Sequence, residues 1–299
     1  MIRPRPGPRP TRRARGGSGQ GIEQSKQERQ AVKTLAMKTL AVKTLAGAAA
    51  LAAAFAMITA AANAEALRQS VTATQVVDLS HDMYEGMSYW PGGVPFTMTR
   101  LVDYDQGYRL HKFEVGENTG THIDAPKHFV DGAPGLDAIA LRDLVVPAVV
   151  IDVKDKVADN VDYRLSAADV EAWEAEHGAI PAGSLVILNT GWHQRFADQA
   201  EYANQDEGGV MHFPGYAKDA AELLVARDVV GIGIDTLSLD YGPAKSFDTH
   251  LVMLGAEKYQ IENLANLDAL PPTGATVIVG VLKVRDGTQA QARILALLP

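Results

Sequence analysis

Five short runs of β-branched and aliphatic residues punctuate the chain: Gln75 to Leu79, Ala148 to Val153, Ser184 to Leu188, Val229 to Ile234 and Thr276 to Leu282. Most are continuous rather than alternating, the pattern of strands buried on both faces. Between them the period lengthens. Ser166 and Asp169 form a capping box ahead of Ala167 to His177, and Gly178 supplies the stop, so a helix is predicted there. A second helix is predicted over Ala217 to Arg227, entered after Pro214-Gly215. Strands interleaved with helices define an α/β class, mixed sheets with flanking helices, rather than a bundle or a sandwich. Strand order is not contained in this pattern. No Gly/Ser linker or charge block divides Glu65 to Pro299, which therefore reads as a single domain.

The first 64 residues break the pattern. Thr44 to Ala64 is a run of 21 uncharged residues, mostly alanine, preceded by Lys33, Lys38 and Lys43 and closed by Ala62-Asn63-Ala64. Positive region, apolar region and small-x-small site follow the order of a secretory signal, so cleavage after Ala64 and a periplasmic or secreted location are expected. A retained membrane anchor is the rival reading; alanine is weakly apolar for a span, and no stable anchor is expected after processing. The echo of Ala-Val-Lys-Thr-Leu at 31 to 35 and 41 to 45 is too short for a structural repeat, and Met37 reads as an alternative translation start. Residues 1 to 64 are thus an N-terminal extension and signal peptide, and 65 to 299 the functional domain.

Charge sharpens this division. The chain carries 28 Lys+Arg and 36 Asp+Glu, but residues 1 to 64 hold 11 basic and only 2 acidic side chains. The remaining 235 residues hold 17 basic and 34 acidic ones, a poor balance for gripping nucleic acid or an anionic membrane. With no cysteine, thiolate zinc sites, thiol nucleophiles and redox pairs are excluded. Any metal must sit on histidine and carboxylate. No Gly-x-Ser-x-Gly occurs, which disfavours a serine hydrolase.

The densest chemistry is Asn118-Thr-Gly-Thr-His122-Ile-Asp124-Ala-Pro126-Lys-His128. His122 and Asp124 are two apart, so in an extended segment both point to one side and can share a cation. Pro126 blocks helix and biases Ala125 to extended geometry. His128, four residues beyond Asp124, is close enough to reach the same cavity. A second cluster, Ser246-Phe-Asp-Thr-His250 with Glu262 twelve residues on, is unremarkable alone.

Together the two segments resemble the bacterial metal-dependent cyclase family of hydrolases, which includes kynurenine formamidases and isatin hydrolases. The family pattern His-x-Gly-Thr-His-x-Asp-x-Pro-x-His aligns without gaps on Asn118 to His128, and its later His and Glu fall on His250 and Glu262. Trp90-Pro91-Gly92, Thr190-Gly191-Trp192 and Gly233-Ile234-Asp235-Thr236 agree as flanking features. The resemblance implies a single domain like the swivelling β/β/α cyclase-family fold, a divalent metal cofactor, a small-molecule substrate and a homodimer or homotetramer. It implies that His122 and Asp124 ligate metal, that Asp124 and Glu262 bridge where two ions are present, and that His250 completes the second site. It further implies that His128 donates and accepts the proton and that Trp90 lines the substrate pocket. A divalent cation polarises an acyl carbonyl and acidifies water to a pKa of about 7, so hydrolysis of an amide, lactam or related acyl C–N bond is expected. Arylformamidase proper and a non-catalytic periplasmic metal- or ligand-binding protein are the alternatives.

Asn118 stands where the family pattern has its first metal histidine. A carboxamide is a weak ligand for Zn²⁺ and a better one for harder ions, so one Mn²⁺-like ion per subunit is expected rather than two Zn²⁺. Asp235 and Asp240 flank a predicted strand end, where turn-forming and functional readings compete. His81, His111, His193 and His212 carry no spacing argument, and His177 reads as a helix-terminal cation.

Overall fold

The structure, a computed structural model, describes residues 73–299. The predicted signal segment, its cleavage point and Met37 lie outside the described residues. Twelve strands are present among these: β1 (Gln75–Asp78), β2 (Thr97–Val102), β3 (Leu110–Glu114), β4 (His122–Asp124), β5 (Val145–Asp152), β6 (Arg164–Leu165), β7 (Leu185–Asn189), β8 (Gly215–Tyr216), β9 (Gly231–Ile234), β10 (Tyr259–Glu262), β11 (Thr276–Val281) and β12 (Gln289–Leu298). The helices are α1 (Lys154–Asp159), α2 (Ala167–His177), α3 (Gln199–Ala203), α4 (Lys218–Ala226) and α5 (Asp248–Gly255). All five predicted strands and both predicted helices are found, and the Ser166/Asp169 capping box and the Gly178 stop close α2 as expected.

Strand order supplies what the pattern could not. The sheet runs β12-β11-β5-β7-β9-β10-β4 and returns to β12, closing a seven-stranded barrel with β1 added on β12. Strands β5, β7, β9 and β10 are parallel, while β4 is antiparallel to both of its neighbours. Closure leaves these strands no free edge.

The alternation of side chains sorts the barrel into two faces. Ile123, Val146, Ala148, Val150, Leu185, Ile187, Ile261, Val277, Val279, Ala290 and Ile294, drawn from all round the circuit, form one cluster that fills the lumen. Val149, Ile151, Val186, Leu188, Ile232 and Ile234 point outward into a second cluster with Val170 and Trp173 of α2, Ala220, Ala221 and Leu224 of α4, and Met253 of α5. In β9 the inward positions are glycines. A Cβ on Gly233 would sit 2.8 Å from Leu264 Cδ1, and one on Gly231 only 2.5 Å from the Tyr259 carbonyl, so no larger residue fits there. Strands β2 and β3 form a separate hairpin on which Met98, Leu101, Tyr104, Tyr108, Leu110 and Phe113 are exposed. No helix among the described residues is long and apolar enough to cross a membrane.

Candidate metal centre

Strand β4 has three residues, and the middle one decides the direction of the other two. Ile123 is fully buried in the lumen, worth about 1.5–3 kcal/mol of burial, so His122 and Asp124 must face out of the barrel wall. In register beside them lie Gln260 and Glu262 of β10 on one side and Gln289 and Gln291 of β12 on the other. The outer wall here is therefore a polar strip on an otherwise apolar barrel. The first turns of α5 and the 3₁₀ turn Pro126–His128 stand against it, bringing in His250 and His128.

Four of these side chains close a ring. His122 Nε2 lies 3.4 Å from Asp124 Oδ1 and 3.2 Å from Glu262 Oε2. His250 Nε2 lies 3.6 Å from Asp124 Oδ2 and 3.3 Å from Glu262 Oε1. Each carboxylate thus sits between two imidazoles and offers a different oxygen to each, with each pair at a separation adopted by donors about 2.1 Å from a common cation. All four are buried, yet His122 Nε2 and Asp124 Oδ2 have no hydrogen-bond partner among the described residues. Buried polar atoms left unpaired are costly, and a divalent ion would satisfy both. The donor set therefore fits the metal implied by the sequence.

Each histidine is aimed by its other nitrogen. His122 Nδ1 lies 2.8 Å from the Gly120 carbonyl, which can only accept, so this nitrogen carries the proton and Nε2 faces the carboxylates. His250 Nδ1 lies 2.5 Å from Asp240 Oδ2, and Asp240 also accepts from the main-chain nitrogen of Thr249 at 2.8 Å, at the start of α5. Asp240 therefore holds both the ring of His250 and the first turn of its helix. Asp235, fully buried, accepts from the main chain and hydroxyl of Thr190 and from the main chain and ring of His193, which pins the turn after β7.

Electrostatics follow from crowding two carboxylates into a dry site. Burial opposes charge on His122, but contact with Asp124 and Glu262 overrides it and holds the imidazole pKa up to about 10. Burial likewise opposes charge on His250, and Asp240 and Glu262 hold it up to about 10. Asp124 is buried too, which raises its pKa, yet His122 and His250 keep it below the usual carboxylate range. Protons on the two imidazoles balance the buried carboxylates as a cation's charge would, and a metal bound there would displace them. His128 behaves differently. Burial dominates and lowers its pKa below the ordinary imidazole value, leaving a neutral base beside the ring.

The placement of the predicted residues is uneven. The residues fall into two triads that share Asp124: His122, Asp124 and Glu262, and Asp124, His128 and His250, with donor atoms within 4.8 Å of one another in each. Asn118 lies half-buried in the turn entering β4, with its Oδ1 beside Gly116, and the ring has its four donors without it. Trp90 is partly buried against the outer apolar cluster. The rings that flank the site are Phe129, 4.8 Å from His250 and 5.6 Å from Phe247, and Phe247 itself, 5.8 Å from His250. Phe247 has φ of 49°, a left-handed conformation that costs a bulky residue energy and persists where the surroundings impose it.

Sequence reasoning missed Gln289, whose Nε2 donates to Asp124 Oδ1 at 2.8 Å, and Gln260, fully buried with an unpaired Oε1 opposite Asp124. The signal was there: Gln260 sits two residues before Glu262, and 289, 291 and 293 are the polar positions of an alternating strand.

A buried ring of two histidines and two carboxylates on the wall of an α/β barrel is a candidate site for a divalent metal. Residues 77–241 match the sequence model of the Cyclase family, and the chain belongs to that family. It is a hydrolase acting on carbon–nitrogen bonds other than peptide bonds. It is 39% identical over 211 residues to the isatin hydrolase of Roseibium aggregatum, covering 67% of this chain and 80% of that protein. A kynurenine formamidase from Bordetella petrii is 28% identical over 189 residues, covering 62% of this chain and 81% of the relative. Among solved structures, isatin hydrolase A from Ralstonia solanacearum matches with a TM-score of 0.72 at 36% identity, covering 75% of this chain and 92% of that one.

Proposed function

We propose that this protein opens the lactam ring of a small, flat aromatic substrate of the isatin type, using one Mn²⁺-like ion held by His122, Asp124, His250 and Glu262. The observation that carries the reading is the ring of these four side chains with its two unpaired buried atoms. A divalent ion bound there supplies polarisation of the scissile carbonyl and acidification of water. His128, neutral and half-buried beside the ring, takes the proton of the attacking water and returns it to the departing nitrogen. Phe129 and Phe247 offer faces on which a planar ring stacks. The higher identity to an isatin hydrolase than to a formamidase favours a cyclic amide over formylkynurenine.

We place the enzyme in the periplasm or outside the cell, on the grammar of Lys33 to Ala64, and assemble it as a homodimer or homotetramer. The apolar residues exposed on the β2–β3 hairpin support self-association. Metal analysis together with turnover of isatin, N-formyl anilines and unsubstituted lactams, with added Mn²⁺ or Zn²⁺, tests the assignment. Preferred turnover of isatin with one equivalent of Mn²⁺ is expected. Two tightly held Zn²⁺ and a preference for N-formyl anilines would move the reading to arylformamidase.

A further inference from the structure

Asn263 follows Glu262 directly and is buried, yet its φ is +56°, a conformation that asparagine tolerates better than most residues. All four of its polar groups are engaged, and each reaches a different part of the site's frame. Its main-chain nitrogen donates to Thr236 O at 3.0 Å, beyond the end of β9. Its carbonyl accepts from Thr121 Oγ1 at 2.6 Å. Its side-chain Nδ2 donates to Gly120 O at 3.1 Å, the same carbonyl that receives His122 Nδ1 at 2.8 Å. Its Oδ1 accepts from Tyr202 Oη at 2.9 Å.

The amide can point only one way. Gly120 O has no proton to give, so a flipped amide would set oxygen against oxygen. Tyr202, fully buried on α3, keeps its proton, and its hydroxyl lies 2.9 Å from both Asn263 Oδ1 and the Asp235 carbonyl, so the two acceptors share that one donor. Chain positions 120 to 122 and 262 to 263 are thereby bolted together across 141 residues of sequence.

We propose that Asn263, backed by Tyr202, is the positioning residue that holds the Gly120 carbonyl against His122 and so sets the direction of His122 Nε2 relative to Glu262. This assignment rests on the metal reading of the ring. Outer partners of a metal-bound histidine are worth about 10- to 100-fold in metal affinity.

The test uses the whole protein and Mn²⁺ as the probe, with affinity measured by chelator competition. Asn263→Gly keeps the left-handed backbone and removes only the side chain. It is expected to weaken Mn²⁺ binding about 10- to 100-fold while leaving the metal-free melting midpoint within a few degrees of wild type. Tyr202→Phe is expected to weaken it by a smaller factor in the same direction. In metal-free protein, the His122 Nδ1 proton resonance, sharp in wild type, should broaden by exchange in both variants. Unchanged Mn²⁺ affinity and an unchanged resonance in Asn263→Gly would overturn the assignment. So would loss of affinity matched by collapse of the metal-free fold, and if Asn263→Gly does not fold, an unchanged resonance in Tyr202→Phe decides against it. A wild type that binds no Mn²⁺ would refute the metal reading, and the His122 resonance still judges the positioning role.

Discussion

The two halves of the metal ring are built by different means. His122 and Asp124 ride on a strand of the barrel wall, fixed from behind by Ile123 in the lumen and from the side by Gln289. His250 sits on the eight-residue helix α5, and what fixes it is a charge: Asp240, from the segment after β9, holds both its ring and the start of its helix. One half is set by the packing of Ile123 with neutral hydrogen bonds from its flanks, the other by a carboxylate. Packing is local in sequence, since alternate residues of one strand must diverge, whereas the carboxylate partner comes from ten residues away on another segment. The first half should therefore fail through loss of shape, the second through loss of charge.

The largest effect is expected where both halves meet. Asp124 lies between the two imidazoles, so Asp124→Ala should release the metal and abolish turnover, as read by metal content after gel filtration together with activity. Retained stoichiometric metal would mean that the ring is not the site. Next comes His128, which belongs to neither half. His128→Ala should keep its metal and lose on the order of 10² to 10⁴ in turnover, the usual contribution of a positioned acid or base. Metal loss equal to that of Asp124→Ala would make it a ligand.

Asp240→Asn separates packing from charge. It preserves shape and removes the carboxylate behind His250, and metal affinity should fall about 10- to 100-fold with little change in the fold, measured by chelator competition and circular dichroism. An unaltered affinity would show that α5 is held by packing after all.

The smallest effect is one of pH on the metal-free protein. His122 and His250 have folded pKa values of about 10 against an ordinary value of 6.5. Groups with a raised folded pKa stabilise the fold fully below the ordinary value, and that stability is lost as pH climbs through the folded one. The melting midpoint of metal-free protein should therefore decline between pH 6.5 and 10, while the Mn²⁺-loaded form stays flat across the same range. Parallel curves would show that protons and metal do not compete for the same nitrogens.

Most of the first half was legible in the sequence, and the reason is physical. Strand alternation and the proline brake at Pro126 are local rules, so His122, Asp124 and His128 could be grouped on spacing alone. Glu262 could not, because its meeting with His122 depends on β10 pairing with β4, and neither could His250, because it arrives on α5; no local pattern contains either placement. They were reached by resemblance. The α/β class and the buried strands were readable, but barrel closure was not, since β4 has three residues and β12 gives only a mixed apolar and polar run. Asp235 and Asp240 look alike in sequence and diverge in structure, one pinning the turn after β7 and the other holding the ring of His250. The aromatic rings beside His250 are Phe129 and Phe247, neither of which carries a sequence signal beyond its proximity to His128 or His250.

The glycine-isoleucine alternation of β9 has a practical meaning for anyone wishing to redesign this enzyme. Because the lumen is already full at Gly231 and Gly233, the barrel offers no interior chamber to enlarge. If the proposed function holds, new specificities are to be sought on the outside, in the segments carrying Phe129 and Phe247, where side chains can be exchanged without reopening the folded interior. The scaffold and the specificity surface are thus separate inheritances, and a library confined to the outer surface should keep most of its members soluble.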